Sequence, residues 1–194
     1  MKDKKKIIYF VTGNINKFSE VLEFFKKENV DYILKQKEVK SIEIQADTIK
    51  EVALHKLESV KKEINGSFFI EDAGFFVDKP LNGFPGVYSS YVFKTIGNKG
   101  LLKLINDFDQ SEAYFSTIIA FYFKPLEKVF LFDGSVKGKV SKRIRGNGGF
   151  GFDSIFISDK IPNKTFAELS TEEKNEFSHR GEALKKLIKF LKEN

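Results

Sequence analysis

The most constraining stretch of this sequence is an apolar run interrupted by two adjacent carboxylates, Phe68-Phe69-Ile70-Glu71-Asp72-Ala73-Gly74-Phe75-Phe76-Val77. Each apolar part is long enough for a buried strand, and the pattern predicts two strands separated by a small-residue break. An ionised carboxylate that is buried without a partner is costly, so a folded chain needs a partner for Glu71 and Asp72. That partner could be a lysine, a backbone nest or a divalent cation. The alternative is a hairpin whose two acids face water.

The next segment, Lys79 to Gly86, is dense in turn-forming residues. An acidic strand end that opens onto such a loop is a common way for α/β proteins to place chemistry at the margin of a sheet. The sequence therefore predicts a functional site at this strand end, if other parts of the chain supply its partners.

Composition limits the kind of site. The chain has no Cys and only two His, at positions 55 and 179. This excludes disulfides, thiolate zinc sites and cysteine nucleophiles, and it argues against a multi-histidine metal site. Any metal is expected on oxygen ligands, which favours Mg²⁺ or a similar hard ion.

The net charge of +6 favours anionic partners such as nucleotides, nucleic acids or phosphates. The lysines are scattered, however, and no stable nucleic-acid complex is expected. The apolar run Ile7–Val11 is too short for the core of a signal peptide, and no stretch is long enough to cross a membrane. We expect a cytoplasmic protein without a membrane partner, with residues 1–194 forming one domain of two lobes.

A strand is predicted at Ile7–Val11, followed by Thr12-Gly13-Asn14 and by an amphipathic helix that carries Phe18 and Val21 on its apolar face. A strand, turn and helix in this order aim backbone N–H groups at the sheet edge and predict an anion site. Lys17 lies in the first turn of that helix. It is either an ordinary solvated lysine or a phosphate ligand beside the turn.

Two short strands are predicted next, at Tyr32–Leu34 and Val39–Ile44. In the second, Ile42 and Ile44 share one face. Glu43 is therefore expected to point to the opposite face.

Thr48 and Glu51 have the spacing of a capping box, which predicts a helix that reaches to about Lys62. Lys56 falls within the apolar stripe of this helix. Its side chain either extends along the edge of the stripe to water or reaches from the core side into a cleft.

Helix is predicted over Ser89–Phe108 with a break near Gly97–Gly100, and two strands of a hairpin are predicted at Ala113–Phe123 and Lys128–Val140. Ser170 to Glu173 forms a second capping-box pattern.

That second box starts a short helix that carries Lys174, and the last helix follows from Ser178-His179-Arg180. The apolar stripe of the last helix is Ala183, Leu184, Leu187, Ile188 and Leu191.

Three glycines within residues 146–151 have the spacing G-x-G-x-x-G, but they lead into the strand-like Ser154–Ile157 rather than a helix. A dinucleotide-binding site of the Rossmann type is therefore excluded, and no phosphate-binding Walker A motif occurs. The loop presents two aromatic rings, Phe150 and Phe152, beside Asp153. It is either a long hairpin loop or a platform on which a purine base stacks.

Five short motifs stand in order along the chain: Thr12-Gly13-Asn14-x-x-Lys17, Glu71-Asp72-Ala73-Gly74, Asn82-Gly83-x-Pro85-Gly86, Gly149-x-Gly151-Phe152-Asp153 and Lys174-Asn175-x-x-Ser178-His179-Arg180. Together they resemble the inosine/xanthosine triphosphate pyrophosphatases, a family that removes non-canonical purine nucleotides. The match covers nearly the whole chain, and five ordered motifs are far more specific than any one of them.

This resemblance implies an α/β fold with an elongated central mixed β-sheet flanked by helices, and two lobes with an active-site cleft between them. It also implies a homodimer. The implied reaction is the hydrolysis of a purine nucleoside triphosphate (ITP, dITP or XTP) to the monophosphate and pyrophosphate, with Mg²⁺ as cofactor.

The resemblance also implies site residues. Glu43 and Asp72 would bind the metal, and Asp72 would also accept a proton from the attacking water. The residues implied to bind the phosphates are Thr12, Gly13, Asn14, Ile15, Asn16 and Lys17 at the first turn, with Lys56, Lys174 and the backbone of Ala73. The residues implied to enclose and read the base are Phe150, Gly151, Phe152, Asp153, His179 and Arg180.

The residue types agree with the implied metal site, because Mg²⁺ needs only one or two carboxylates besides phosphate oxygens and water.

Two positions depart from the family pattern. Ala73 stands where Ser or Thr is more common, which removes a possible hydroxyl contact to phosphate, and Ser154 replaces the usual Pro after the aspartate.

Two other functions stay open from the sequence. One is a phosphatase that releases orthophosphate from the same nucleotides. The other is a basic nucleotide- or RNA-binding module without turnover, although such a module has no need for Glu43 and Asp72 in a cleft.

Overall fold

The structure is a computed structural model that describes residues 6–105 and 111–194. Within these ranges the chain forms seven strands and six α-helices. The strands are β1 (Lys6–Val11), β2 (Tyr32–Lys37), β3 (Ser67–Lys79), β4 (Phe84–Gly86), β5 (Glu112–Phe123), β6 (Lys128–Val140) and β7 (Phe156–Ser158). The helices are α1 (Ile15–Lys27), α2 (Ile49–Val60), α3 (Ser89–Thr95), α4 (Gly97–Ile105), α5 (Thr171–Phe177) and α6 (His179–Glu193).

The strands form one mixed sheet in the order β2-β1-β3-β5-β6-β7, and β4 pairs with β3 outside this path. The β1 strand pairs in parallel with both β2 and β3, whereas β4 pairs with β3 and β7 pairs with β6 in antiparallel fashion. The predicted α/β class with a central mixed sheet is confirmed. No helix in the described part of the chain is long and apolar enough to cross a membrane.

Most predicted elements are present with small shifts in their ends. Both capping boxes form, at Thr48 with Glu51 and at Ser170 with Glu173. The hairpin strands correspond to β5 and β6. The predicted helical segment divides into α3 and α4 at the expected glycines, and its last residues, 106–108, lie outside the described residues.

Three predictions about secondary structure are wrong. Residues 67–79 form one continuous strand, so Glu71 and Asp72 lie in the middle of β3 and not at a strand end. Residues 39–44 do not form a strand. The strand predicted at Ser154–Ile157 begins only at Phe156, because Ser154 and Ile155 belong to a 3₁₀ turn. The first error has a physical reason, because side chains alternate across a strand and adjacent acids can therefore point to different partners.

The chain divides into two compact units. Unit 1 contains the described residues up to Asp72, together with Ile118–Asp133 and Ala183–Asn194. Its sheet carries two apolar clusters, one with α1 and α6 and the other with α2. The predicted stripe of α6 is confirmed, because all five of its side chains are buried in the first cluster.

Unit 2 contains the described residues of Ala73–Thr117 and Gly134–Glu182. Its core is rich in phenylalanine rings that contact one another edge to face. For example, the rings of Phe115 and Phe156 lie 4.9 Å apart at 81°, and those of Phe156 and Phe166 lie 4.9 Å apart at 75°. Such contacts add to the stability gained from burial alone. The prediction of one domain with a cleft between two lobes stays a prediction.

A close approach between α5 and the first turn of α6 fixes the start of the last helix in unit 2. A side-chain carbon added at Gly181 would overlap the carbonyl oxygen of Asn175, and the Ser178 hydroxyl accepts a hydrogen bond from the Gly181 N–H at 3.0 Å. Glycine is needed here for space. This contact holds His179 and Arg180 in place at the start of α6.

We therefore expect Gly181→Ala to lower the free energy of unfolding by about 1–3 kcal/mol, the usual cost of an overpacked site. Gly13→Ala is the matched control, because its added methyl group meets no atom within 4 Å. Urea unfolding of both variants measures the difference. Equal stability of the two variants would show that α5 and α6 can separate freely.

Candidate functional site

The two adjacent carboxylates of β3 lie on opposite faces of the sheet, and each pairs with a lysine from the helix that covers that face. On one face, the Lys17 Nζ atom lies 2.7 Å from Oε2 of Glu71. The Glu71 side chain has no exposed surface, and that of Lys17 is 17% exposed. Lys17 is therefore not a freely solvated lysine, and its first partner is a buried carboxylate.

On the other face, Lys56 of α2 contacts two carboxylates. Its Nζ atom lies 2.9 Å from Oδ2 of Asp72 and 3.2 Å from Oε2 of Glu43. The Asp72 side chain is 16% exposed, whereas the Glu43 side chain is 62% exposed. Of the two orientations predicted for Lys56, the structure has the inward one. The helical stripe therefore carries an ammonium group directly to the acidic pair.

The acidic pair changes the ionisation of Lys56. Burial by itself would lower the pKa of this lysine, because a charged group loses hydration. The charge of Asp72 and its hydrogen bond, followed by those of Glu43, outweigh burial, so the pKa lies above its usual value. Lys56 is therefore a fixed positive charge at neutral pH.

The turn between β1 and α1 is closed by the side chain of Asn14. Its Oδ1 accepts hydrogen bonds from the N–H groups of Asn16 at 3.0 Å and Lys17 at 3.1 Å. The Asn14 N–H in turn donates to the Thr12 hydroxyl at 3.0 Å. These three donors of the predicted anion site are therefore already used within the turn. The exposed Gly13 and Ile15 supply the other backbone N–H groups predicted at this turn.

The carboxylates Glu43 and Asp72 suit a hard cation, because their oxygens converge on one positively charged atom, Nζ of Lys56. Among residues 6–105 and 111–194, no group of three or more His, Asp or Glu side chains that could hold a metal ion occurs. A metal here would therefore have two protein carboxylates, which is the minimum typical of Mg²⁺ sites completed by phosphate oxygens and water.

In unit 2, a buried ion pair joins the glycine-rich loop to α5. Lys174 donates from Nζ to Oδ2 of Asp153 at 2.6 Å, and the side chains are 3% and 5% exposed. The same oxygen accepts the Phe150 N–H at 2.8 Å. Asp153 thus fixes the backbone of its own loop and neutralises the lysine. Removal of one member of such a pair leaves a buried charge without compensation.

Two cations lie near the Phe150 ring. The distance from its centroid is 4.8 Å to Lys174 Nζ and 5.4 Å to the guanidinium carbon of Arg180. Both cations are buried, and Phe150 is half-buried. Cations at this distance from an aromatic ring are attracted to it. The structure therefore brings together two residues predicted to enclose the base, Phe150 and Arg180, and one predicted to bind the phosphates, Lys174.

Phe152 does not form a stacking platform with Phe150. It is 3% exposed, its ring stacks on Phe75 with the centroids 5.1 Å apart, and the centroid of the Phe93 ring lies 5.5 Å away at an angle of 81°. A ring held in the core offers no open face, so the prediction of two stacking rings is wrong for Phe152. Phe150 is the half-buried ring of this loop. The backbone of Gly151 beside it is partly exposed.

His179 also lies against the core of unit 2. It is 3% exposed, and its ring stacks on Phe115 at 4.7 Å with an angle of 9° between the planes. Ala73, the first residue of unit 2, is partly exposed. The described geometry thus forms two groups of predicted site residues, one in each unit.

Two residues of these groups were not among the predicted site residues. One is Glu71, which belongs to one of the five motifs. Its position beside Asp72, together with a lysine in the first turn of α1, could have identified it as a site residue. The other is Asn98, which donates from Nδ2 to the Ser154 hydroxyl at 2.8 Å and to the Gly151 carbonyl at 3.0 Å. No pattern in the sequence indicated this contact, because the partners are more than 50 residues apart.

Comparison with known proteins supports, over nearly the whole chain, the family resemblance that the five motifs indicated. The sequence profile of the Ham1 family matches residues 8–190. A dITP/XTP pyrophosphatase of Thermococcus kodakarensis is 45% identical over 185 residues, which are 95% of this chain and 97% of the relative. A dITP/XTP pyrophosphatase of Pyrococcus horikoshii is 42% identical over 187 residues, which are 96% of this chain and 97% of that relative.

Solved structures agree with the sequence relatives. A HAM1 protein from Coxiella burnetii has a TM-score of 0.80 at 28% identity, covering 97% of this chain and all (100%) of that chain. The Ham1 protein of Staphylococcus aureus has a TM-score of 0.79, also at 28% identity, covering 96% of this chain and 98% of that chain. With the matching profile and with relatives above 40% identity over nearly its full length, this chain belongs to the Ham1 family.

Proposed function

We propose that this protein is a nucleoside-triphosphate pyrophosphatase that hydrolyses dITP, ITP and XTP to the monophosphate and pyrophosphate. The observation that carries the proposal is the convergence of Asp72, Glu43 and Lys56 in a chain that is 45% identical to a dITP/XTP pyrophosphatase. Two carboxylates and a fixed ammonium group are a suitable set for hydrolysing a phosphate anhydride. The acids can serve a cation and a water molecule, and the ammonium group can stabilise negative charge on phosphate.

In this proposal Asp72 accepts the proton of the attacking water. Its side chain is 16% exposed, so a water molecule can reach it beside the Lys56 ammonium group. Mg²⁺ would be held by Asp72 and Glu43, and when bound it supplies positive charge that polarises the phosphate. General-base assistance of this kind typically contributes ~10²–10⁴-fold to a rate.

The phosphates would bind at the turn between β1 and α1 and near the lysines of unit 1. Gly13 and Ile15 offer exposed backbone, and Lys17 is only partly exposed beside Glu71. When Lys17 or Lys56 contacts a phosphate, its own carboxylate keeps part of the charge balanced. This arrangement orients the chain of phosphates without leaving an uncompensated lysine in the protein.

The base would bind at Phe150 and the charged groups around it. Arg180 is a hydrogen-bond donor with no acceptor capacity, so it can satisfy the 6-oxo group of hypoxanthine or xanthine. Adenine presents an amino donor at the same position. A site built from donors therefore rejects ATP, because buried donors would face another donor.

A panel of nucleotides with Mg²⁺ tests the proposal. We expect pyrophosphate as the product from dITP, ITP and XTP, with much slower turnover of ATP. Orthophosphate as the first product would establish the phosphatase alternative. Binding of RNA that survives the loss of Asp72, without any turnover, would establish the binding-module alternative. The cytoplasmic location and the homodimer stay predictions.

We expect Asp72→Asn to lower kcat by at least ~10²-fold, because the amide cannot accept the proton of the water. The fold should persist, since Lys56 keeps Glu43 as a partner. Asp78→Asn is the matched control, because Asp78 is an exposed acid on the same strand. Steady-state kinetics with dITP measures both variants. A rate near that of the wild type in Asp72→Asn would assign the base to another residue.

We expect Lys56→Met to weaken the use of the triphosphate and to lower the free energy of unfolding by about 1–3 kcal/mol, because the ion pair and hydrogen bond between Lys56 and Asp72 are lost. The sequence alone predicts no loss of stability for this variant, since methionine extends the apolar stripe of α2. Added Mg²⁺ should restore more stability to this variant than to the wild type. Thermal unfolding with and without Mg²⁺ measures the effect, and Lys50→Met, on the exposed side of α2, is the control.

A further inference from the structure

One side chain of α4 binds two residues of the glycine-rich loop that carries Phe150. Asn98 donates from Nδ2 to the Gly151 carbonyl at 3.0 Å and to the Ser154 hydroxyl at 2.8 Å. The amide group has two N–H donors, so each partner can receive its own hydrogen bond. Asn98 therefore acts as a fork across the turn from Gly151 to Ser154.

This turn needs an anchor from outside itself. Gly149 and Gly151 have φ values of +65° and +63°, a left-handed conformation that glycine adopts freely but also leaves freely. The contacts within the turn are local, namely the Phe150 N–H to the Asp153 carboxylate at 2.8 Å and the Asp153 N–H to the Phe150 carbonyl at 3.2 Å. They fix the shape of the turn, while the Asp153–Lys174 ion pair ties it to α5 and the hydrogen bonds of Asn98 tie it to α4.

The helix that carries Asn98 is itself firmly placed. Leu101 is fully buried and Ile105 is 6% exposed, in the same apolar cluster as Phe152. Gly97, with φ +59°, is the first residue of α4, so Asn98 lies in the first turn of that helix. The side chain of Phe152 and the fork of Asn98 thus attach the turn to the core at neighbouring points.

We infer that Asn98 is a positioning residue that fixes Phe150 and Asp153 for binding of the base. The inference rests on the proposed function for the identity of the ligand, but not for the structural role. Asn98 contacts the loop and not the reacting atoms. Its loss should therefore impair recognition of the base and leave the chemistry at Asp72 unchanged.

Kinetics separates these two effects. We expect Asn98→Ala to raise KM for dITP about fivefold to tenfold, as for the loss of one or two neutral hydrogen bonds, with kcat within about twofold. Inhibition by inorganic pyrophosphate, which has no base, should not change. Lys99→Ala, at the exposed neighbouring position, is the control. A fall in kcat with unchanged KM would overturn the assignment.

A double-mutant cycle identifies the contact. Ser154→Ala should raise KM by a smaller factor, and Asn98→Ala with Ser154→Ala should be no worse than Asn98→Ala alone, because the shared hydrogen bond can be lost only once. Additive effects of the two changes would show that Asn98 acts through something other than this fork.

A structural measurement tests whether Asn98 positions the turn, even if the enzyme proves to use other substrates. The chain has no Trp, so Phe150→Trp gives a single fluorescent reporter in the turn. Adding Asn98→Ala should increase quenching of this Trp by acrylamide about twofold. Hydrogen exchange of residues 146–154 in Asn98→Ala without the Trp should also become faster. Unchanged exchange and quenching would overturn the positioning role, whereas absence of dITP turnover in the wild type would overturn only the proposed function.

Discussion

The structure depends on two neighbouring carboxylates in the middle of a buried strand. Because side chains alternate along β3, Glu71 and Asp72 point to opposite faces of the sheet. The two carboxylates therefore cannot share one proton or one cation. The helix on each face supplies a lysine: Lys17 from α1 and Lys56 from α2. Both helices thus bring a positive charge to the same strand, which offsets the cost of placing two carboxylates in the core of unit 1.

In unit 2, two of the buried charges of the site form an ion pair. Asp153 and Lys174 are almost fully buried, and the lysine also faces the ring of Phe150. Asp153 uses the same oxygen to bind the lysine and the backbone of its own loop. The carboxylate that compensates the buried lysine therefore also orders a glycine-rich loop, whose backbone would otherwise be free to move.

Local signals in the sequence predicted much of this arrangement. The capping box at Thr48 places α2, and the regular stripe of α6 places His179 and Arg180 at its start. Such features depend on residues three or four apart, which sequence patterns detect well. The continuity of β3 was missed because two charges in the middle of a strand contradict its apolar pattern, and the lysines of α1 and α2 that pair with these charges are distant in the sequence.

The remaining differences depend on contacts between distant residues. Phe152 has the same local pattern as Phe150, and only the packing of Phe75 and Phe93 shows that it belongs to the core. The fork of Asn98 joins residues that no periodicity connects. In this site the ionic groups were visible in the sequence, while the parts that hold them in position became visible only in the fold.

The composition of unit 1 has a consequence for biosynthesis. Its first strand packs with α6, so Ile8 and Phe10 share an apolar cluster with Leu187 and Leu191. A ribosome makes these partners far apart in the sequence, so β1 must wait for the synthesis of α6 before its core is complete. Contacts between such distant residues slow folding and leave apolar surface exposed during synthesis. A chain that stops before α6 would therefore lose the core around its own first strand, and with it the sheet that carries Glu71 and Asp72.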